Sequence, residues 1–249
     1  MSGLALPSFF RVQRFDRIDS TSDEAKRCAG DGAEEGTLIW ALEQSAGRGR
    51  RGRAWLSPRG NLYCSLVLRP RSAAAEAAQL GFAAALAVAE ACARFLPGDA
   101  DIRCKWPNDV LLGGAKVAGI LLESRADAER GLDWLVLGIG INLAVHPEGT
   151  DYPATSLAAA GATVTPEVLL PILAERLLAW YDRWRQQGFA PLREAWLARA
   201  FGLGGPIRVR LAAAELGGRF VGLDEQGLLL LDGAEGRQRI AAAEIFPAG

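Results

Sequence analysis

Gly47-Arg48-Gly49-Arg50-Arg51-Gly52-Arg53 runs into Ala54-Trp55-Leu56-Ser57-Pro58-Arg59-Gly60, and then into Asn61-Leu62-Tyr63-Cys64-Ser65-Leu66-Val67-Leu68. The order of these three pieces decides between folds. Gly47, Gly49 and Gly52 spell a G-x-G-x-x-G pattern, but a dinucleotide fingerprint needs a helix directly after its glycines. Here Pro58 and Gly60 precede a strand-like run, so a doubly wound parallel sheet is excluded. A Walker A lysine is missing, and so are the HRD and DFG segments of a kinase. What remains is chemistry. Arginines offer planar, permanently charged forks that fit phosphate or carboxylate, and glycines let a backbone come close to a ligand. A mobile loop closing on a small polyanion and a solvated basic turn or nucleic-acid tether both fit these residues.

The rest of the chain narrows that choice. With 249 residues, half of them hydrophobic, it can build one large domain or a large and a small one. Its net charge of −1 and pI near 6.0 make the arginine loop a local concentration of positive charge, which speaks against a general nucleic-acid binder. The longest apolar stretch, Leu80 to Ala93, is too short for a membrane span, and the N-terminus does not read as a signal peptide. Cys28, Cys64, Cys92 and Cys104 form no C-x-x-C pair and suit reduced thiols, which gives a cytoplasmic expectation. His146 is the sole histidine, so multi-histidine metal sites are excluded and no metal ligand is assigned. Lys26, Lys105 and Lys116 are the only lysines beside 25 arginines, which marks them as positions where a compact ammonium is wanted.

Periodicity predicts strands at 9–18, 37–43, 61–68, 101–105, 109–112, 116–123 and 133–141. It predicts helices at 21–30, 73–96, 166–187 and 190–201. Thr21 with Glu24 suggests a capping box, and Ser72 and Thr165 suggest N-caps. Pro166 fits a first helical position, and Gly188 fits a stop. After Gly204-Gly205-Pro206, short strands punctuated by glycine predict a small SH3-like barrel. The expected division is 1–202 for the larger domain and 203–249 for the smaller.

Lys105-Trp106-Pro107-Asn108-Asp109 reads as a strand end, with Pro107 pushing Trp106 towards extended geometry. Lys116-Val117-Ala118-Gly119-Ile120-Leu121-Leu122-Glu123 reads as a core strand. Gly138-Ile139-Gly140-Ile141-Asn142-Leu143 has two glycines in a strand, which is costly unless something lies against that face. Together with Ile18-Asp19-Ser20-Thr21-Ser22, Gln44 and the loop, these segments, in this order and spacing, resemble the biotin–protein ligases over nearly the whole chain. The resemblance implies an α+β fold: a mixed, mostly antiparallel sheet with flanking helices, class II synthetase-like, plus the SH3-like domain.

The resemblance also implies function. Biotin would be activated with ATP and Mg2+ to biotinyl-5′-AMP, then transferred to a lysine of a biotin carboxyl carrier protein, that of acetyl-CoA carboxylase or a related carboxylase. Ser20, Thr21, Ser22, Gln44, Gly47, Arg48, Gly49, Arg50, Lys105 and Gly119 would hold biotin. Arg50, Arg51, Arg53, Trp55, Asn108, Lys116 and Asn142 would hold ATP, with Trp55 near adenine and Asn142 on its polar edge. Lys105, Arg48 and Arg50 would be catalytic, and the loop at 46–55 would be mobile until ligand closes it. Ser22 stands where the family usually has asparagine, and Ala54 where it often has a basic residue. The resemblance implies a ligase without a DNA-binding repressor domain and with no DNA or membrane partner; a homodimer is left open. A lipoate or octanoate ligase and a nucleic-acid-binding module are the alternatives.

Overall fold

The computed structural model describes residues 4–127, 131–211, 214–241 and 243–247. A seven-stranded sheet carries the larger part. In chain order its strands are β1 (Arg11–Phe15), β2 (Thr37–Ala41), β3 (Leu62–Leu68), β4 (Ile102–Lys105), β5 (Asp109–Leu112), β6 (Ala115–Asp127) and β7 (Gly131–Ile141). In space they lie β1-β2-β3-β7-β6-β5-β4. Only β1 and β2 run parallel, and the other neighbours are antiparallel. The expected mixed sheet is therefore present. The first strand is shorter than 9–18, because the chain turns at Pro7 and Phe10 and bends away after Phe15.

Helices cover the two faces unequally. α1 (Thr21–Gly30) packs alone on one face, where Ala25 and Ala29 meet Ile39, Val67, Trp134 and Val136. Its N-cap is Ser20, whose hydroxyl accepts the Asp23 N–H at 3.3 Å. The expected Thr21–Glu24 capping box does not form; Glu24 instead takes the Arg27 guanidinium. The other face carries α2 (Ala74–Ala77), α3 (Leu80–Ala93), α4 (Pro166–Gln187) and α5 (Ala190–Leu197). α3 is buried on nearly every side, between sheet and helices, which is why its sequence is apolar all round.

The single helix expected at 73–96 is two. The backbone tightens to i→i+3 bonds at 79–82, where Gln79 is drawn into the core. Its carbonyl accepts the Trp184 indole at 2.9 Å, and its amide donates to Glu225. Ser72 does not cap it; Ala73 holds that position. Thr165 is the N-cap residue of α4, but its hydroxyl bonds no helix N–H. Pro166 and Gly188 stand at the start and stop as expected, and Gly188 has φ 72°. Within Ala74–Ala93 the most apolar window of 18 residues is 78% buried inside the fold, in keeping with the expectation that this stretch is not a membrane span. It is a core helix.

The C-terminal region forms a second, five-stranded antiparallel sheet, consistent with an SH3-like fold. Its strands are β8 (Pro206–Arg210), β9 (Glu215–Leu223), β10 (Leu229–Gly233), β11 (Gly236–Ile240) and β12 (Glu244–Pro247), ordered β11-β10-β9-β8-β12. Trp106, 2% exposed, donates its indole N–H to the Gly227 carbonyl at 3.1 Å. That bond fastens the turn between β4 and β5 to the second sheet. Trp106 lies in this turn, directly after β4, with a cis peptide to Pro107.

Candidate active site

Strand pleat sorts the side chains of the central strands. Leu62, Cys64, Leu66 and Leu68 of β3, with Leu135, Leu137, Ile139 and Ile141 of β7, face the helical core. Alternation therefore turns Ser65, Gly138 and Gly140 to the face that α1 half covers. Across the ladder, Gly140 pairs with Gly119 and Gly138 with Leu121. Beyond the end of α1 the sheet presents a bare glycine floor.

Each glycine is needed there for a definite contact. A Cβ on Gly140 would lie 2.6 Å from the Trp55 ring, and one on Gly119 would lie 3.0 Å from it. A Cβ on Gly138 would lie 2.6 Å from the Ser22 hydroxyl. Trp55 therefore rests on the middle of the floor. The loop carrying it is a small hairpin: Gly49 N–H bonds the Arg53 carbonyl at 2.7 Å, and Trp55 N–H bonds Gly47 at 2.8 Å. It turns through Arg51 at φ 56° and Gly52 at φ 72°.

One end of the floor is neutral and polar. Ser22 and Ser65 hydroxyls are 3.1 Å apart, and Ser65 bonds the Thr21 hydroxyl at 2.9 Å. Gln44 accepts from the Thr21 N–H at 2.7 Å and hydroxyl at 3.0 Å, while its amide donates to Ser57 at 2.8 Å. This chain of uncharged donors and acceptors is buried at Ser20, Thr21, Ser22 and Ser65. It suits a neutral polar group held by several weak bonds.

The other end is cationic. Lys116 Nζ sits 2.6 Å from Asp109, and Lys105 Nζ sits 3.9 Å from the same carboxylate. The Lys105 side chain is only 5% exposed and lies 3.5 Å from the Tyr152 ring centroid and 5.3 Å from that of Phe246. Burial lowers its pKa to about 8, against the pull of Asp109. Its carboxylate neighbour Asp109 stands at 3.9 Å, outside ordinary hydrogen-bond reach, which leaves the ammonium open to an anion in the cavity. Arg50 reaches the same end, donating to Asn108 at 3.0 Å; burial first, and then Arg51, lowers its pKa. Arg53 leans on Glu244 of the second sheet at 2.7 Å.

All of these groups but Ser57 and Ser65 line one cavity of about 440 Å3. It gathers every site residue expected from the sequence except Gly47. Gly47 is buried behind the loop, where a Cβ would strike Ser57 at 2.4 Å and the Trp55 carbonyl at 2.5 Å; its smallness lets the hairpin close. Asn142 lines the cavity, but its amide donates to Thr155 at 3.0 Å, so it also ties down the neighbouring loop. Trp55 lies between the polar and cationic ends, with Lys116 Nζ 5.3 Å from its ring centroid. Ser65, Tyr152, Glu244 and Phe246 were not assigned roles from the sequence. Asp109 lay inside a motif already singled out; Tyr152, Glu244 and Phe246 carried no local signal.

The chain belongs to the biotin/lipoate A/B protein ligase family, whose model matches residues 14–142, while the biotin protein ligase C terminal domain matches residues 202–246. A Paracoccus denitrificans protein named biotin–[acetyl-CoA-carboxylase] ligase is 46% identical over 239 residues, 94% of this chain and 99% of that one. The bifunctional ligase/repressor BirA of Escherichia coli (strain K12) is 34% identical over 222 residues, 86% of this chain and 67% of that one. The biotin protein ligase of Aquifex aeolicus, solved with biotin and ATP, superposes with a TM-score of 0.80 at 29% identity, over 95% of this chain and 97% of that one.

Proposed function

We propose that this protein activates biotin with MgATP and transfers it to a lysine of a biotin carboxyl carrier domain in the cytoplasm. The observation that carries this reading is the order of polarity along the cavity. A neutral hydrogen-bonding end, an uncharged glycine floor under an indole, and a cationic end match a ureido ring, an acyl chain and a carboxylate. Gly138 on β7 and Asn142, one residue past the end of that strand, are four residues apart, about 13 Å in extended chain, comparable to extended biotin.

In the first step a biotin carboxylate oxygen attacks the α-phosphorus of ATP, and the bond to pyrophosphate breaks. Both reactants are anions, so the barrier is largely charge repulsion and orientation. Lys105, Lys116 and Arg50 neutralise that charge, while the hydroxyls of Ser20, Thr21 and Ser22, with Gln44, hold the ureido group. Arg51 and Arg53 stand at the mouth for the phosphates, and Asn108 fixes Arg50. In the second step the carrier lysine attacks the anhydride carbonyl, AMP leaves and the amine loses a proton. Magnesium enters with the nucleotide, held chiefly by its phosphates. We assign 1–202 to activation and 203–249 to a wall of the cavity, through Glu244 and Phe246.

Biotin-dependent exchange of labelled pyrophosphate into ATP should be measured first, then the mass of a carrier domain incubated with biotin and MgATP. We expect exchange, and a gain of one biotin less one water on one carrier lysine. Exchange with octanoate or lipoate but not biotin would move the protein to the lipoate side of its family. A second prediction concerns the loop at 46–55: biotin with ATP should slow its cleavage by protease about ten-fold or more, since closure excludes solvent. Equal cleavage with and without ligands would show that the loop does not close.

A further inference from the structure

Two arginines of the cavity are already paired with carboxylates: Arg53 with Glu244 alone, and Arg48 within a larger group. Arg48 Nη2 lies 2.5 Å from Asp23 Oδ1 and 3.3 Å from both Glu123 oxygens. Lys26 bridges the same two carboxylates, at 2.8 Å to Asp23 and 2.9 Å to Glu123. Two cations and two anions thus close a compact quartet joining three elements: the first turn of α1, the middle of β6, and the start of the glycine–arginine loop. Lys26, Asp23 and Glu123 are half-buried, between 24% and 30% exposed, while Arg48 is exposed. Burial works against the Lys26 charge, but the bonds from Asp23 and Glu123 outweigh it, and its pKa is raised.

We infer that Asp23 and Glu123 are positioning residues that latch the loop shut through Arg48, and that Arg48 therefore carries loop closure and not the neutralisation of substrate charge. The inference rests on the biotin-ligase reading and deepens it. It departs from the sequence-based expectation, which made Arg48 catalytic. A guanidinium whose Nη2 is shared between two carboxylates has less positive field left for a third anion. Lys105 differs in this respect, with its one carboxylate at 3.9 Å. The latch also explains the placement of Trp55. Its N–H bonds Gly47, and Arg48 pairs with Ala54 across the hairpin, so fixing Arg48 fixes the indole on the floor. Loosening the quartet should free bound adenylate without slowing its formation.

The test uses the full-length protein and a non-hydrolysable biotinyl-adenylate mimic, with Asp23→Asn, Glu123→Gln, Arg48→Ala and the double variant Arg48→Ala/Glu123→Gln. Asp23→Asn and Glu123→Gln should each raise the dissociation rate of the mimic by about five-fold, the scale of a partly exposed ion-pair network. Protease should cut the loop at 46–55 correspondingly faster with the mimic bound, while kcat for pyrophosphate exchange stays within about two-fold. The double variant should release the mimic no faster than Arg48→Ala alone, because both act through one contact. Unchanged release in both single carboxylate variants would overturn the latch, and so would additive effects in the double variant. A loss of kcat in Arg48→Ala that neither carboxylate variant shares would return Arg48 to charge neutralisation. Absence of biotin-dependent exchange in the unmodified protein would instead remove the biotin reading itself, and the latch with it.

Discussion

Lys105→Met should lower biotin-dependent pyrophosphate exchange by about 10²–10³-fold, the usual cost of removing a preorganised charge from a dry site. Methionine keeps the length and apolar stem of lysine, so the Tyr152 and Phe246 rings retain their contact and the fold should survive. The loss should fall mainly on kcat, because charge builds most between the carboxylate and phosphate in the transition state. The pH dependence supplies an independent check. The ammonium must be protonated to neutralise anions, and burial has lowered its pKa to about 8. In the free enzyme kcat/KM for biotin should therefore decline as pH rises through about 8. The sign for stability is opposite. Between about 8 and the ordinary lysine value of 10.5 the unfolded chain binds a proton that the folded chain does not, so Lys105 makes folding more favourable as pH rises through that window. In Lys105→Met both effects should vanish. A variant with unaltered exchange, or with the same alkaline decline in kcat/KM, would remove Lys105 from the reaction.

Gly140→Val should raise the KM for biotin by about 10–100-fold, taking overpacking at roughly 1–3 kcal/mol. The strand itself has no need of glycine here, since valine favours a central strand. The need comes from across the cavity: a Cβ would stand 2.6 Å from Trp55 carbon and nitrogen atoms. Trp55 would have to leave the floor, and the added methyls would fill the tract assigned to the acyl chain. Gly140→Ala should show the same effect more weakly. Thermal unfolding separates this from a folding defect, because the cavity side of β7 is not part of the helical core. Unchanged biotin KM in Gly140→Val with an intact fold would show that the ligand does not run over this face.

The sequence alone determined the local pieces. Apolar patterning placed β2, β3, β4, β5 and β7 to within a residue or two, because a pleated strand with a core face must keep its apolar residues there, while β6 runs on to Asp127, four residues past the expected end. Pro166 and Gly188 marked the ends of α4 because their backbone restrictions act without neighbours. The loop, both lysine segments and the glycine pair were legible as oddities: a run of arginines, scarce lysines and strand glycines each conflict with local propensity unless something lies against them. Their common purpose was legible only through family resemblance.

Only the tertiary structure decided what those oddities face. The break between α2 and α3 could not be read from a run of alanines, since it follows from Gln79 meeting Trp184 and Glu225 more than a hundred residues away. The expected capping box failed for a similar reason: Thr21 is taken by Gln44 and Ser65, which leaves Ser20 to cap. Tyr152 and Phe246 acquired a place over Lys105 only when an outlying loop and the last strand of the second sheet met the first sheet. Ion pairs and ring contacts of this kind depend on positions in space and leave no period in the chain. Residue types and strand alternation fixed which side chains could do the chemistry, and the packing of two sheets against one loop decided which of them do it together.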